Sequence, residues 1–316
     1  MDRPRRPPAV LGLSALWLLL AAADAPGFTA LRAARWMAPG ADPVRVLGTV
    51  EAECLQPVQG EGAYLVEVGR AAFRTPLLLG GQAARAGIAC ETCHQGGRRN
   101  PDFQFPGLSG APGTADVTTA LFSSHRDDGI DNPRPIPDLG GPKASLHVTQ
   151  DPASPALERF IHGQITEEFN GPEPSPTVLK GLAAYVRALS PAACAAEERR
   201  PLHAADYAAD AARAVEVAIQ ALDRKDMDTA ILMLESARGR LGLIYERYDQ
   251  PGAVQSRAVL ATADADLAAA IAKVRARDAG AREGLAVWEV RLRQGMKALA
   301  AEESGSLFDP GRLGAR

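Results

Sequence analysis

Between His203 and Glu302 the apolar residues fall at helical spacing in four successive stripes, and Gly and Pro thin out. The first stripe is Ala208, Ala212, Val215, Ile219 and Leu222; the second is Ala230, Leu234, Ala237, Leu241, Ile244 and Tyr248. The third is Leu260, Ala263, Leu267, Ile271 and Val274; the fourth is Leu285, Trp288, Leu292, Met296 and Leu299. Each set lies on one helix face, and four such faces in series predict an antiparallel four-helix bundle over 203–302. The segment from Ala218-Ile219 to Asp226 parallels that from Ala270-Ile271 to Asp278. This reads either as a duplicated helical hairpin or as two Ala-rich hairpins that are alike by composition. Residues 303–316 read as a flexible tail.

Upstream the pattern is shorter and more broken. Leu65, Val68 and Ala72 mark a helix over Ala63 to Phe73, and Thr75-Pro76 and Gly80-Gly81 interrupt the chain after it. A short segment runs from Ala83 to His94. A long irregular stretch, Gln95 to Pro155, is dense in Gly, Pro, Asp and Ser. So long a loop in a compact domain is expected to wrap something. Helical spacing resumes at Ala156 to Gln164 and again at Pro176 to Leu189, where Ser175 suits the N-cap and Pro176 the first turn. Glu197 to Arg200 reads as a charged linker. Residues 26–60 read as a lead-in segment with one strand-like run, Val44 to Leu47. The expected fold is all-α, with a smaller domain over 61–195 ahead of the bundle.

Composition supports the helical reading, because aromatic residues make up only 5% of the chain and Ala is abundant. A net charge of −3 offers no basic stripe for nucleic acid. Residues 1–25 read as a signal peptide: Arg3, Arg5 and Arg6 precede an apolar run from Ala9 to Ala23, and Ala23-Asp24-Ala25 fits a cleavage site. An uncleaved anchor is the alternative, and it would be the protein's one membrane contact. Either way the body of the chain is expected in the periplasm or another extracytoplasmic space, where disulfides are permitted.

Cys90-Glu91-Thr92-Cys93-His94 is a CxxCH motif, the attachment signature of haem c. Two thiols at this spacing match the two haem vinyl groups, and the adjacent His supplies the proximal iron ligand. A thioredoxin-like redox pair would need a βαβ pattern, which is missing, and a zinc site would need a second close Cys pair.

The region from Ala63 to Leu189 resembles the class I cytochrome c fold and the haem domains of bacterial di-haem cytochrome c peroxidases. The features that carry the resemblance are the helix ahead of CETCH, the segment Phe105-Pro106-Gly107-Leu108-Ser109-Gly110, and the helix ending Ala183-Ala184-Tyr185-Val186-Arg187-Ala188-Leu189. The second of these looks like the family's Gly-Pro-x-Leu-x-Gly segment. The resemblance implies that the Pro106 carbonyl accepts the second ring N–H of His94, and that the last helix packs across the first. Pro135-Ile136-Pro137-Asp138-Leu139 looks like the peroxidases' Asn-x-Pro-Ser-Leu region. No Met lies between His94 and Leu189, although Met is the family's usual sixth ligand; Met227, Met233 and Met296 belong to the bundle. By resemblance His162 is the first choice for the distal metal ligand, followed by His125 and then His147, with water or an open site as the remaining options. In this fold the ends of the domain meet, which implies a Cys54–Cys194 disulfide in place of two free thiols. Arg98 and Arg99 either pair with the haem propionates or are ordinary surface.

These readings describe a mono-haem cytochrome that passes single electrons to a redox partner protein. The alternatives are a peroxidase-like enzyme, against which the single CxxCH counts, and a haem-based sensor. The bundle is assigned to docking, dimerisation or spacing.

Overall fold

The computed structural model describes residues 30–140, 146, 148–194 and 199–315. The signal peptide expected over 1–25 lies outside them, as does His147. The chain is predominantly helical. Its elements run α1 (Pro43–Gly48), β1 (Thr49–Glu51), α2 (Glu61–Phe73), α3 (Gly81–Arg85), α4 (Cys90–Cys93), β2 (Thr114–Ala115), β3 (Arg134–Pro135), α5 (Ala156–Gly163) and α6 (Pro176–Ala188). There follow β4 (Arg199–Pro201), α7 (Ala204–Asp223), α8 (Met227–Tyr245), α9 (Val254–Arg275), α10 (Gly280–Glu302) and α11 (Pro310–Gly314).

Helices α7 to α10 form the expected bundle, each packed on its neighbour in sequence and α10 closing on α7. Every residue of the second and third stripes is buried. The buried face of α7 is displaced from its stripe: Ala212, Ile219 and Leu222 are only partly buried, while Ala204, Tyr207, Ala211, Ala214, Val217 and Ala218 are buried, because α7 packs on α2 as well as on the bundle. The hairpin turns after α7 and α9 match bond for bond. Lys225 and Arg277 both adopt left-handed φ, and Asp226 N–H donates to Ala221 O as Asp278 N–H does to Lys273 O, each at 2.9 Å.

Helices α2 and α6 cross tightly, and α5 leans on α6. Ser175 caps α6 by accepting from Val178 N–H at 3.2 Å. The long irregular region is tied by a small hairpin in which Thr114 pairs with Pro135 and Ala115 with Arg134.

Three expectations are corrected. Val44 to Leu47 is helical, because Asp42 accepts from Val44 N–H at 2.9 Å and Pro43 opens the first turn, a start signal that outweighs the β-branched pair. The charged linker is in part a strand: β4 pairs antiparallel with β1, joining Thr49 to Pro201 and Glu51 to Arg199. The tail is folded. Phe308 is 5% exposed between Tyr207 and Tyr248, and Leu313 of α11 is 6% exposed against the α1 side.

The bundle and the smaller domain share one apolar core and a buried ionic network. Arg74, at the end of α2, donates to Glu53 at 3.0 Å, Glu91 at 3.0 Å and Asp210 of α7 at 2.9 Å. Arg240 of α8 donates to Glu91 at 3.0 Å, and Tyr185 of α6 donates to Glu53 at 2.6 Å. Burial pushes these carboxyls up, but the guanidiniums outweigh it, so Glu53, Glu91 and Asp210 titrate below the ordinary carboxylate range. Their contribution to stability is therefore present above about pH 4 and is lost as pH falls through the folded-state values. Arg74→Met is expected to cost about 3–5 kcal/mol at neutral pH, because it leaves buried carboxylates short of a cation. It is also expected to flatten the acid limb, because without Arg74 the three carboxyls titrate closer to, or above, their unfolded values. Urea unfolding measured across pH checks both, and a wild-type-like acid limb would refute the assignment.

Candidate haem-attachment site

The CETCH motif forms the single turn α4. The Thr92 hydroxyl accepts from Ala89 N–H at 3.0 Å, Asn100 Nδ2 donates to Thr92 O at 2.9 Å, and Asn100 N–H donates to Cys93 O at 2.9 Å. Gly96 and Gly97, both at positive φ, then turn the chain away. The carbonyl of Gly97 accepts from Leu139 N–H at 3.1 Å and Gly140 N–H at 2.9 Å. Those bonds place the Pro137 carbonyl 3.1 Å from His94 Nδ1.

A carbonyl can only accept, so Nδ1 carries the ring proton and the lone pair is on Nε2. Nε2 makes no hydrogen bond among the described residues. Burial pushes the His94 pKa down to about 4, so the ring is a neutral imidazole at physiological pH. Burial likewise pushes the Cys90 and Cys93 thiols up to about 12, unlike the acidic thiols of redox-active pairs.

Cys90, Cys93 and His94 share one wall of a cavity of about 390 Å³, within the range of cofactor sites. Its lining is mainly apolar, with Phe73 from α2, Leu157, Phe160 and Ile161 from α5, and Leu182 and Val186 from α6. The polar side chains on it are Arg134, Gln150 and Gln164. Gln150 Nε2 donates to Val148 O at 2.9 Å, while its buried Oε1 has no hydrogen-bond partner among the described residues.

Several expected site residues lie elsewhere. Pro106 occupies an exposed turn, and Pro137 takes the role expected of it. His162 points off the cavity face of α5. Leu157, Phe160, Ile161 and Gln164 repeat at helical spacing, which leaves His162 on the outside, where Nε2 lies 2.9 Å from Glu173. His125 is exposed in a loop and does not line the cavity. Arg98 is buried with Nε 3.2 Å from Cys54 Sγ, and Arg99 is exposed, so neither lines the cavity; Arg134 does. Glu91 and Arg240, which tie the motif to the bundle, were invisible in the sequence because nothing in the motif dictates its second residue. The implied Cys54–Cys194 disulfide is present.

The position of His162 gives a direct expectation. His162→Ala should leave the visible absorption of haem-loaded protein unchanged and alter stability by less than about 1 kcal/mol. A low-spin to high-spin change would instead put His162 on the iron.

Among the described residues no cluster of three or more His, Cys, Asp or Glu is arranged to hold a metal ion. No helix among them is long and apolar enough to cross a membrane. No protein-family model, curated protein or solved structure matches this chain.

Proposed function

We propose that this chain is an extracytoplasmic mono-haem c-type cytochrome that exchanges single electrons with a partner protein. The observation that carries the reading is the state of His94: Nδ1 is committed to the Pro137 carbonyl, and Nε2 is free beside two thiols at the wall of an apolar cavity. An iron ligand is oriented by such a bond, which also raises the basicity of the other nitrogen. A metal held by His94 must bring further ligands with it, as a porphyrin does.

In this reading Cys90 and Cys93 hold the haem through thioethers and His94 Nε2 ligates the iron. Phe73, Leu157, Phe160, Leu182 and Val186 exclude water from its faces, and Arg134 is the cation on the lining suited to a propionate. The haem supplies a reversible one-electron couple when bound. The Cys54–Cys194 disulfide supports an oxidising compartment, which covalent attachment requires.

A second reading, a peroxidase-like or ligand-sensing haem, draws on one observation. Among the described residues Gln150 presents a buried acceptor without a partner on the same cavity, and no second His lines it.

The test is expression with an export leader beside a haem-maturation system, followed by intact mass and absorption spectra. The expected result is haem that stays on the denatured chain and is lost in Cys90→Ala/Cys93→Ala. An apoprotein would overturn the reading. A five-coordinate ferric spectrum would favour the ligand-binding reading over the electron carrier.

A further inference from the structure

A second cavity, of about 430 Å³, lies behind the motif, where the lead-in segment, α4, α8 and the C-terminal turn converge. Two guanidiniums line it that make no ion pair among the described residues, Arg35 and Arg247. Arg247 is 9% exposed and donates to two neutral carbonyls, Leu307 O at 3.3 Å and Leu47 O at 2.7 Å. Arg35 donates only through Nη1, to Val46 O at 2.7 Å and Thr49 O at 3.1 Å. Its Nε–Nη2 edge, the fork that receives a carboxylate side-on, makes no hydrogen bond among the described residues.

The other buried guanidiniums of this region and the bundle are neutralised: Arg74 by three carboxylates, Arg238 by Asp264 and Arg240 by Glu91. Arginine cannot escape burial by losing its proton, so a buried guanidinium without a counter-charge is a standing cost. Burial holds the Arg247 guanidinium below its ordinary range and Arg35 adds to that by like-charge repulsion, while Tyr207 and Glu246 offset part of it, which places the two cations within reach of one another.

We propose that this cavity binds a small organic monocarboxylate, its carboxylate held by Arg35 and Arg247. Leu47, Leu243, Leu307 and Leu313 supply apolar walls for the rest of the molecule. Glu91 and Glu246 also line the cavity, with their charges committed to Arg240 and Arg74 and to Arg32. Their presence disfavours a multiply charged oxyanion such as phosphate. The site is independent of whether haem occupies the other cavity.

The experiment is calorimetric titration of the full folded chain with butyrate, benzoate and inorganic phosphate. Saturable one-site binding of at least one carboxylate is expected, with phosphate weaker. Arg35→Gln should weaken it about tenfold or more, the loss of a charge-assisted bidentate contact, and Arg35→Lys should not restore it. Leu243→Phe, which fills the cavity and leaves both cations in place, should also abolish binding while the thermal midpoint stays near wild type. Arg247→Gln is scored only if its circular dichroism matches wild type, since Arg247 also ties Leu47 to Leu307. Absence of saturable binding by both carboxylates, unchanged affinity in Arg35→Gln, or phosphate binding as tight as carboxylate would each overturn the proposal.

Discussion

Replacing Gly69 by Ala is expected to destabilise the protein by about 3 kcal/mol or more and to open the wall of the main cavity. A Cβ at this position would stand 2.0 Å from Gly181 O, 2.4 Å from its carbonyl carbon and 2.8 Å from Leu182 N. The obstacle is helix backbone, so no side chain can swing aside and α2 must be pushed off α6. Those helices carry Phe73, Leu182 and Val186 into the cavity wall, so parting them opens the wall as well. The reverse change is barred too, since a Cβ on Gly181 would sit 2.9 Å from Gly69 N and Leu65 O. Gly163→Ala on α5 is the control, because nothing lies within 4 Å of its added methyl. That change should be neutral or stabilising by up to about 1 kcal/mol. Urea unfolding of the two variants decides the matter, and a Gly69→Ala protein within about 0.5 kcal/mol of wild type would show that the crossing is loose.

Reducing the Cys54–Cys194 bond, or replacing both residues by Ala, is expected to cost about 4–5 kcal/mol in the chain-entropy view, because the bond joins residues separated by 140 positions in sequence. The native geometry around it is held by backbone bonds of its own. Ser190 N–H donates to Cys54 O at 2.8 Å, Gln56 N–H donates to Ala188 O at 2.9 Å, and Leu55 bridges Leu189. Loss of the disulfide should therefore lower the urea midpoint without changing the far-ultraviolet circular dichroism of the folded state. Coincident unfolding curves with and without reductant would show that the two thiols contribute no covalent restraint.

The bundle was legible because a helix that buries one face must repeat its apolar residues at that period, and α8 and α9 bury every position of their stripes. The motif was legible because two thiols and an imidazole at fixed spacing have few uses. The acceptor that holds His94 Nδ1 was less so. Pro-x-Leu recurs after the motif, at Pro106-Gly107-Leu108, Pro137-Asp138-Leu139 and Pro155-Ala156-Leu157, and any backbone carbonyl can serve as acceptor. What selects Pro137 is the pairing of Leu139 and Gly140 with Gly97, a contact across the long loop that spacing does not encode. His162 faces away from the cavity for a reason the sequence did contain. With Leu157, Phe160 and Ile161 on one face of α5, the next cavity-facing position is Gln164. The lead-in and tail segments were misread because their order comes from each other and from the bundle, through β1 with β4 and α1 with α11.

The long-range pairs named above sit inside one another like brackets. Gly69 with Gly181 is innermost, then Leu55 with Leu189, Cys54 with Cys194, β1 with β4, and last α1 with α11. Loop closure grows only logarithmically dearer with length, so the first closure carries most of the entropy and each later one joins short arms already brought near. The helices of the bundle need only local turns. The order this dictates for folding runs from the α2–α6 crossing outward, with the two ends of the described chain the last to meet.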